Sequence, residues 1–344
     1  MAKKTPSKVT IVEVAEKAGV SLGTVSRVMN NDVHVAPETR ERVSAVMREM
    51  GYVANRQARS LKSSRTNVIG ILAPDLGTGY IGEILHGVDA ELGLHQLDLM
   101  LFTTHRTAIK EANYVAHLVR GMVDGLLLVL PRNPEDYTGI LTNANFPFVL
   151  IDHQGTGSLC PAVGATNWQG AYNATEYLIK LGHKRIGFIT GSMDLGAALD
   201  RLDGYKSALQ VHHIPEDPQL IYEGAFFQPD GYAGGSALLD LDKPPTAIFA
   251  SNDVMAMGVM DAIRGCGLRI PEDISIVGFD DIPQAAMVRP ALTTVRQPLE
   301  HMGRLATQML IDQLKNPEKE IGRVELPTQL IIRDSTLSPK DKAG

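Results

Sequence analysis

The stretch from Thr10 to Asn31, TIVEVAEKAGVSLGTVSRVMNN, leaves few folds open. Thr10 and Glu13 stand at capping-box spacing, in which each side chain can bond the other's backbone N–H at the start of a helix. Ile11, Val14, Ala15 and Ala18 recur at helical intervals and give that helix one apolar face. Gly19 ends it, since glycine takes left-handed backbone angles freely and lets a second helix leave at a steep angle. Ser21 caps the second helix. Val25 and Val28 face back to the first helix, where Ala15 is small enough for close approach, so Leu22, Gly23, Ser26, Arg27 and Asn30 are left outward. The pattern predicts a helix-turn-helix whose second helix enters the major groove of DNA. Taken alone, the same spacing also suits a plain helical hairpin, so the flanks carry weight.

Pro37 to Met50 reads as a third helix, with Val43, Val46, Met47 and Met50 on one face and Gly51 as its stop. The net charge of −6 is unevenly spread. Residues 1–65 hold 12 Lys and Arg against 6 Asp and Glu, a net +6, which leaves −12 for the remainder. The positive charge coincides with the helix-turn-helix and continues through Arg56, Arg59, Lys62 and Arg65, the footprint of a phosphate-backbone partner. No apolar run approaches the roughly 18 residues of a membrane span. The N-terminal MAKKTPSK lacks the apolar core of a secretory signal. Cys160 and Cys266 are the only cysteines, too few for a disulfide framework or metal-ligand spacing. A cytoplasmic protein with no membrane partner, no metal and no cofactor is expected.

From residue 67 the rhythm changes to buried strands alternating with amphipathic helices. Val68–Leu72, Leu99–Phe102, Gly125–Leu130 and Phe148–Ile151 are the strands of one doubly wound unit, with helices over 82–94, 110–122 and 135–144. Arg185–Thr190, Ala247–Ala250 and Ile274–Phe279 are the strands of a second, interleaved with helices at about 168–182, 199–212, 230–240 and 253–265. A last stretch runs from Leu292–Val295 through a helix over 299–315 to Leu330–Ile332.

Within the first unit, Gly77-Thr78-Gly79-Tyr80-Ile81-Gly82 is a literal G-x-G-x-x-G between strand and helix, which raises a nicotinamide-dependent oxidoreductase as a rival. Two details oppose it. Pro74, Asp75 and Leu76 separate the strand from the first glycine, although the fingerprint needs a tight turn at the strand end. The second strand ends Phe102-Thr103-Thr104, with no acid for a ribose. No nucleophile with its base can be picked out. Asp280-Asp281 could be imagined as an acid and base pair, but neighbours at a strand end point in divergent directions.

Three linked motifs carry a family resemblance: Val20-Ser21-x-x-Thr24-Val25-Ser26-Arg27-Val28-x-Asn30, Gly51-Tyr52-x-x-Asn55, and Ala58-Arg59-x-Leu61. The sequence resembles the lactose-repressor (LacI/GalR) family of bacterial transcription regulators, and the resemblance continues to about residue 336. It implies an α plus α/β chain: a three-helix DNA-binding domain over 1–54, a hinge helix over 55–66, a two-lobed periplasmic-binding-protein-like body over 67–336, and a tail over 337–344. The first lobe is expected over about 67–165 and 295–324, the second over about 166–294 and 325–336. In the head, Leu22 and Arg27 are the base readers. Thr10, Ser21, Thr24, Ser26, His34, Thr39, Tyr52 and Asn55 are backbone contacts, and Asn30 lies on the same outer face. Of the hinge residues, Ala58 and Leu61 are apolar, and Leu61 matches the leucine that wedges into the minor groove.

In the body, the resemblance puts effector contacts at Arg201, Phe226, Asn252, Asp280 and Gln297. It adds Asp75 and Tyr80 at the first turn, and Arg132 and Asn133 are further candidates to reach the cleft. Arg201 brings a fork of donors, Asp280 accepts from two hydroxyls and Asn252 does both, a mixture suited to a polyhydroxylated ligand such as a sugar. The expected partners are a small effector and a pseudo-palindromic operator bound by a homodimer, since one short recognition helix reads few bases and the tail has no leucine heptads for a tetramer. A sugar-binding transport protein shares such a body but would carry a signal peptide and no DNA head.

Overall fold

The computed structural model describes residues 9–29, 32–52, 65–77, 79–153, 160–318 and 322–339. The chain divides between Thr66 and Asn67 into an N-terminal unit and a larger C-terminal one.

Local sequence dictates the first unit. Helix α1 (Ile11–Ala18) begins on the Thr10–Glu13 capping box: Thr10 N donates to Glu13 Oε2 at 2.7 Å and Glu13 N to Thr10 Oγ1 at 3.4 Å. Gly19 follows at φ 65°, and α2 (Leu22–Met29) leaves with Ser21 Oγ accepting from Thr24 N at 3.1 Å. The third helix, α3 (Pro37–Glu49), stops one residue before Met50. Val14, Ala15, Ala18, Val25, Val28 and Val43 form the buried centre, with Val46, Met47, Met50 and Tyr52 packed around it. The Lys17 ammonium meets Glu49 Oε1 at 2.8 Å, an exposed tie between α1 and α3.

The second unit holds two six-stranded sheets. Its first sheet comprises β1 (Val68–Ala73), β2 (Asp98–Thr103), β3 (Gly125–Val129), β4 (Phe148–Ile151), β5 (Ala162–Ala165) and β11 (Arg323–Leu326), in the spatial order β11-β5-β4-β3-β1-β2 and all parallel. Helices α4 (Gly79–Leu94) and α12 (Leu299–Lys315) cover one face, α5 (Ala108–Leu118) and α6 (Glu135–Asn143) the other. The second sheet has β6 (Ile186–Ile189), β7 (Ile221–Tyr222), β8 (Ala247–Ala250), β9 (Ser275–Asp280), β10 (Thr293–Arg296) and β12 (Gln329–Ile331), in the order β12-β10-β9-β8-β6-β7. Only β12 runs antiparallel, against β10. Helices α7 (Asn167–Lys180) and α8 (Gly196–Val211) pack on one side of it, α9 (Gln228–Leu239) and α10 (Asp253–Gly265) on the other, and the short α11 (Pro283–Met287) follows β9.

The two sheets differ from the sequence expectation in where the chain changes lobes. Thr293–Arg296 pairs in full with Val277–Asp280, so the second lobe extends to residue 296 and the return to the first lobe falls after it, not at 295. Arg323–Leu326 pairs in full with Ala162–Ala165, so the first lobe reaches 326, not 324. Ladder hydrogen bonds are lost if a strand is divided between two sheets, which places crossovers in the short segments 165–167, 296–299 and 326–329. Two of these are laced together: Thr328 N donates to Thr166 Oγ1 at 3.0 Å, Thr328 Oγ1 donates to Thr166 O at 3.1 Å, and Thr166 N to Leu326 O at 3.0 Å.

Candidate effector cleft and nucleic-acid interface

On the head, the outward face of α2 presents Leu22, 48% exposed, with Gly23 and Arg27 beside it. Ser26 and Thr24 are half-buried, and the Ser21 and Thr24 hydroxyls lie 2.9 Å apart. His34 is exposed in the turn before α3, where its N–H donates to Asp32 Oδ1 at 3.0 Å. Thr39 and Tyr52 are half-buried on α3 and after it, and the Thr10 hydroxyl is bonded to Glu13 at 3.0 Å. The expectations for Asn30, Asn55, Ala58 and Leu61 fall outside the described residues.

In the body, a cavity of about 620 Å³, counting its open mouth, lies between the carboxyl ends of the two sets of strands, where open α/β sheets hold ligands. Asp75 follows β1, Arg132 follows β3 and Asp152 follows β4; from the second sheet come Asn252 after β8 and Asp280 at the end of β9. Arg201 on α8, Tyr80 on α4 and Phe226 complete the polar and aromatic lining.

Each charged group there is held in place. The Arg201 guanidinium, 2% exposed, donates from Nε to Asn167 Oδ1 at 2.7 Å and from one terminal nitrogen to Ser251 O at 2.5 Å. The other terminal nitrogen lies 3.7 Å from Asp280 Oδ1, and the guanidinium carbon sits 3.8 Å from the centre of the Phe279 ring. Burial pushes the Asp280 carboxyl up to about 7, against the opposing pull of Arg201 and of Gln297. Burial and the nearby Asp280 hold Asp253 above the usual carboxylate range, with Thr294 Oγ1 donating to it at 2.5 Å. Tyr80 donates its hydroxyl to Asp152 Oδ2 at 2.7 Å, and burial together with Asp152 raises the phenol well above its ordinary value, so it remains a proton donor. Asp281 diverges from Asp280, pairing with Arg296 at 2.7 Å and Arg333 at 2.6 Å.

Five lining residues, Arg106 (φ 57°), Leu130 (φ 48°), Asp152 (φ 53°), Phe226 (φ 69°) and Asp280 (φ 116°), have left-handed backbone angles, which non-glycine residues keep only where the surroundings enforce them. Gly191, after β6, is what seats Phe226: a Cβ there would fall 1.8 Å from the Phe226 ring. Gly79, the third residue of the G-x-G-x-x-G, has a similar duty, since a Cβ would come within 2.7 Å of Gln284 Oε1 and 3.3 Å of Ile282 Cβ in the second lobe.

Six expected effector residues, Asp75, Tyr80, Arg201, Phe226, Asn252 and Asp280, thus line one cavity. Two other expected residues lie outside this lining. Asn133 is exposed and outside the lining, whereas Arg132, expected beside it, lines the cavity; Leu130 and Asn133 both take positive φ, which breaks the strand alternation there. Gln297 is 97% buried and outside this lining; its Nε2 donates to Asp280 Oδ1 at 2.8 Å, behind the carboxylate. Sequence reasoning missed Asp152, Arg106, Leu195 and Ala197. Arg106 reaches across the mouth: it pairs with Asp75 at 2.7 Å, donates to Ala225 O at 3.0 Å and lies 3.9 Å over the Phe227 ring. Arg132 also crosses, to Asp194 and to Ser192 Oγ. Among the described residues no group of three His, Cys, Asp or Glu could hold a metal, and no helix is long and apolar enough to cross a membrane.

Residues 10–55 match the model for bacterial regulatory proteins of the lacI family, and residues 175–336 match that for a periplasmic binding protein-like domain. Over 328 residues, 95% of this chain and 96% of the relative, the sequence is 36% identical to the HTH-type transcriptional repressor PurR of Proteus mirabilis (strain HI4320). It is 34% identical over 333 residues to PurR of Haemophilus influenzae (strain PittEE), covering 96% and 99% of the two chains. Among solved structures, the lac repressor dimer bound to operator and the anti-inducer ONPF aligns with a TM-score of 0.86 at 28% identity, over 96% of this chain and 100% of that one. The complex of the transcriptional regulator CelR with cellobiose aligns with a TM-score of 0.74 at 33% identity, over 95% and 99%.

Proposed function

This chain belongs to the lacI family of bacterial regulatory proteins and is a DNA-binding transcriptional repressor; from that premise we propose that a sugar held in the body's cleft sets its affinity for operator DNA. The observation that carries the ligand class is the convergence of the Arg201 donor fork, the Asp280 carboxylate and the Asn252 amide beside the Phe226 ring. Hydroxyl groups donate to Asp280 and accept from Arg201, Asn252 does both, and the ring packs against the C–H face of a pyranose or furanose. That a similar regulator binds cellobiose supports the same class here.

The chain works as a homodimer on a pseudo-palindromic operator, because two-fold symmetry supplies the second half-site that one recognition helix cannot read. Leu22 and Arg27 read base edges, and Thr10, Ser21, Thr24, Ser26, His34, Thr39 and Tyr52 hold the backbone. Ligand contacts drawn from both lobes favour one lobe orientation over the other. A differential affinity of about 100-fold between the two orientations supplies roughly 2.7 kcal/mol per site, enough to change operator occupancy substantially.

A thermal-melting screen against mono- and disaccharides, nucleosides and nucleobases tests the ligand class, because a compound that binds only the folded state raises its melting temperature. A sugar is expected to give the largest rise. A rise from a nucleobase with none from any sugar would replace the sugar reading. Sedimentation at micromolar concentration is expected to give a dimer, and a stable monomer or tetramer would overturn that assembly.

A further inference from the structure

Two of the three crossovers between the lobes hand an amide side chain to the charges that line the cleft. Asn167 is the first residue of α7, two positions beyond the last residue of β5, and is 1% exposed. Its Oδ1 accepts from Arg201 Nε at 2.7 Å, while its Nδ2 donates to Ala165 O at 3.1 Å, the terminal carbonyl of a first-sheet strand. Gln297 follows β10 and precedes α12, the helix that packs into the first lobe. Its side chain donates to Asp280 Oδ1 at 2.8 Å and its backbone N–H to Asp280 O at 3.2 Å. Neither residue lines the cleft.

We propose that Asn167 and Gln297 are positioning residues that tie Arg201 and Asp280 to the crossovers, so that whatever engages this charge pair biases the relative orientation of the lobes. The reading rests on the proposed effector cleft and specifies how its occupancy reaches the hinge.

The chemistry of Asn167 makes it a two-ended link. The acceptor end fixes the guanidinium; the donor end fixes the peptide at Thr166, which is the crossover itself and is bonded in turn to Thr328 on the third crossover. A ligand hydroxyl that draws Arg201 inward moves the Asn167 amide, and the amide moves the crossover. Gln297 does the same for Asp280, but one end is unsettled: its Oε1 is the one buried side-chain nitrogen or oxygen among the described residues with no hydrogen-bond partner.

The two native cysteines report on this directly. Cys160 lies just before β5 in the first lobe and Cys266 just after α10 in the second. Spin labels on both in the full chain give an inter-lobe distance distribution, and fluorescence anisotropy on a DNA site enriched from a random library gives operator affinity. Asn167→Asp keeps the acceptor for Arg201 and removes the donor to Ala165; Asn167→Ala removes both; Gln297→Met removes the donor to Asp280.

Without sugar, all three variants are expected to broaden the inter-lobe distribution relative to wild type. With cellobiose or ribose as probe, Asn167→Asp is expected to bind within about threefold of wild type, while the sugar-induced change in operator affinity falls about tenfold. Asn167→Ala is expected to lose about tenfold in sugar affinity as well. If Asn167→Ala fails to fold, Asn167→Asp and Gln297→Met carry the test. Wild-type distributions and wild-type coupling in those two would overturn the proposal. Failure of both sugars to bind wild-type protein would overturn the sugar reading instead, and the distances measured without sugar then decide the crossover links on their own.

Discussion

The head and the body read their partners with opposite physical strategies. On the head, the side chains proposed to read DNA stand on the outside of a small core: Leu22 is half in solvent and Arg27 is exposed, while Val14, Val25 and Val43 behind them are fully buried. In the body the groups proposed to read the ligand are themselves interior. Arg201 and Asp280 are 2% and 4% exposed, with donors, acceptors and rings on every side. DNA arrives as an ordered, highly charged surface, so long side chains that settle on contact suffice. A small ligand offers few contacts, and its site must be ordered beforehand for those contacts to register as affinity. Substitutions on the head's reading face should therefore change binding without changing stability, whereas those in the cleft should change both.

The strongest separation is expected from Arg201→Ala. It strands Asp280, the Asn167 amide and the Ser251 carbonyl in a buried setting, and removing one partner of a buried pair costs about 3–5 kcal/mol. Urea denaturation of the body measures it, and a loss under about 1 kcal/mol would mean that the cleft is less preorganised than its geometry implies.

A proton-linked effect comes next. Asp280 is raised from its ordinary 3.8 to about 7 in the folded chain. Between these values the unfolded chain binds fewer protons than the folded one, so the contribution to stability is fully present below about 4, declines as pH rises and is gone above about 7. Asp280→Asn abolishes that dependence. The melting temperature of wild type relative to Asp280→Asn is expected to fall between pH 5 and pH 8, and a flat difference would count against a raised Asp280.

Gly191→Ala sharpens the comparison from the steric side. Its methyl group occupies the place of the Phe226 ring, so the ring must move, at about 1–3 kcal/mol for overpacking, with about a tenfold loss of affinity for the proposed sugar. Calorimetric titration with cellobiose checks it. On the head, Arg27→Ala is expected to weaken the specific site by about 1–3 kcal/mol with much smaller change on random DNA and an unchanged melting temperature. Equal loss on both DNAs would reduce Arg27 to a phosphate contact. The smallest effect belongs to Lys17→Ala, which removes an ion pair whose side chains are 45% and 64% exposed; under about 1 kcal/mol is expected in thermal melts at physiological salt.

The same contrast explains what could be read from the residues alone. Head structure is local: the Thr10–Glu13 box, Gly19 and the Val25–Val28 pair lie within one short stretch, and each signal determines its own geometry. Long apolar strands such as Val68–Ala73 were equally legible. Ala162–Ala165 was not, since Ala-Val-Gly-Ala carries almost no β-propensity and becomes a strand through its neighbours on both sides. Arg323–Leu326 escaped because it is an exposed edge with no apolar run. In the cleft, Arg201, Asn252 and Asp280 were legible through family motifs, but Arg106 was not: its partner Ala225 lies 119 positions away, a pairing created by the meeting of two lobes. Of the neighbours Arg132 and Asn133 only Arg132 lines the cavity, and which of the two would do so was not legible because the backbone turns to positive φ at Leu130 and Asn133.

The placement of β11 and β12 governs how the molecule comes into being. Each completes a different sheet, and both lie within the segment 323–331. On a ribosome the head can close as soon as its helices emerge, whereas neither lobe holds all of its strands until nearly the whole chain has been made. At roughly 5–20 residues per second that interval lasts on the order of tens of seconds, with strands β5 and β10 each waiting for its edge partner. The nascent molecule is thus a finished DNA reader tethered to an unfinished sensor. A chain broken off before residue 323 would not lose one lobe and keep the other; it would leave both sheets open at once.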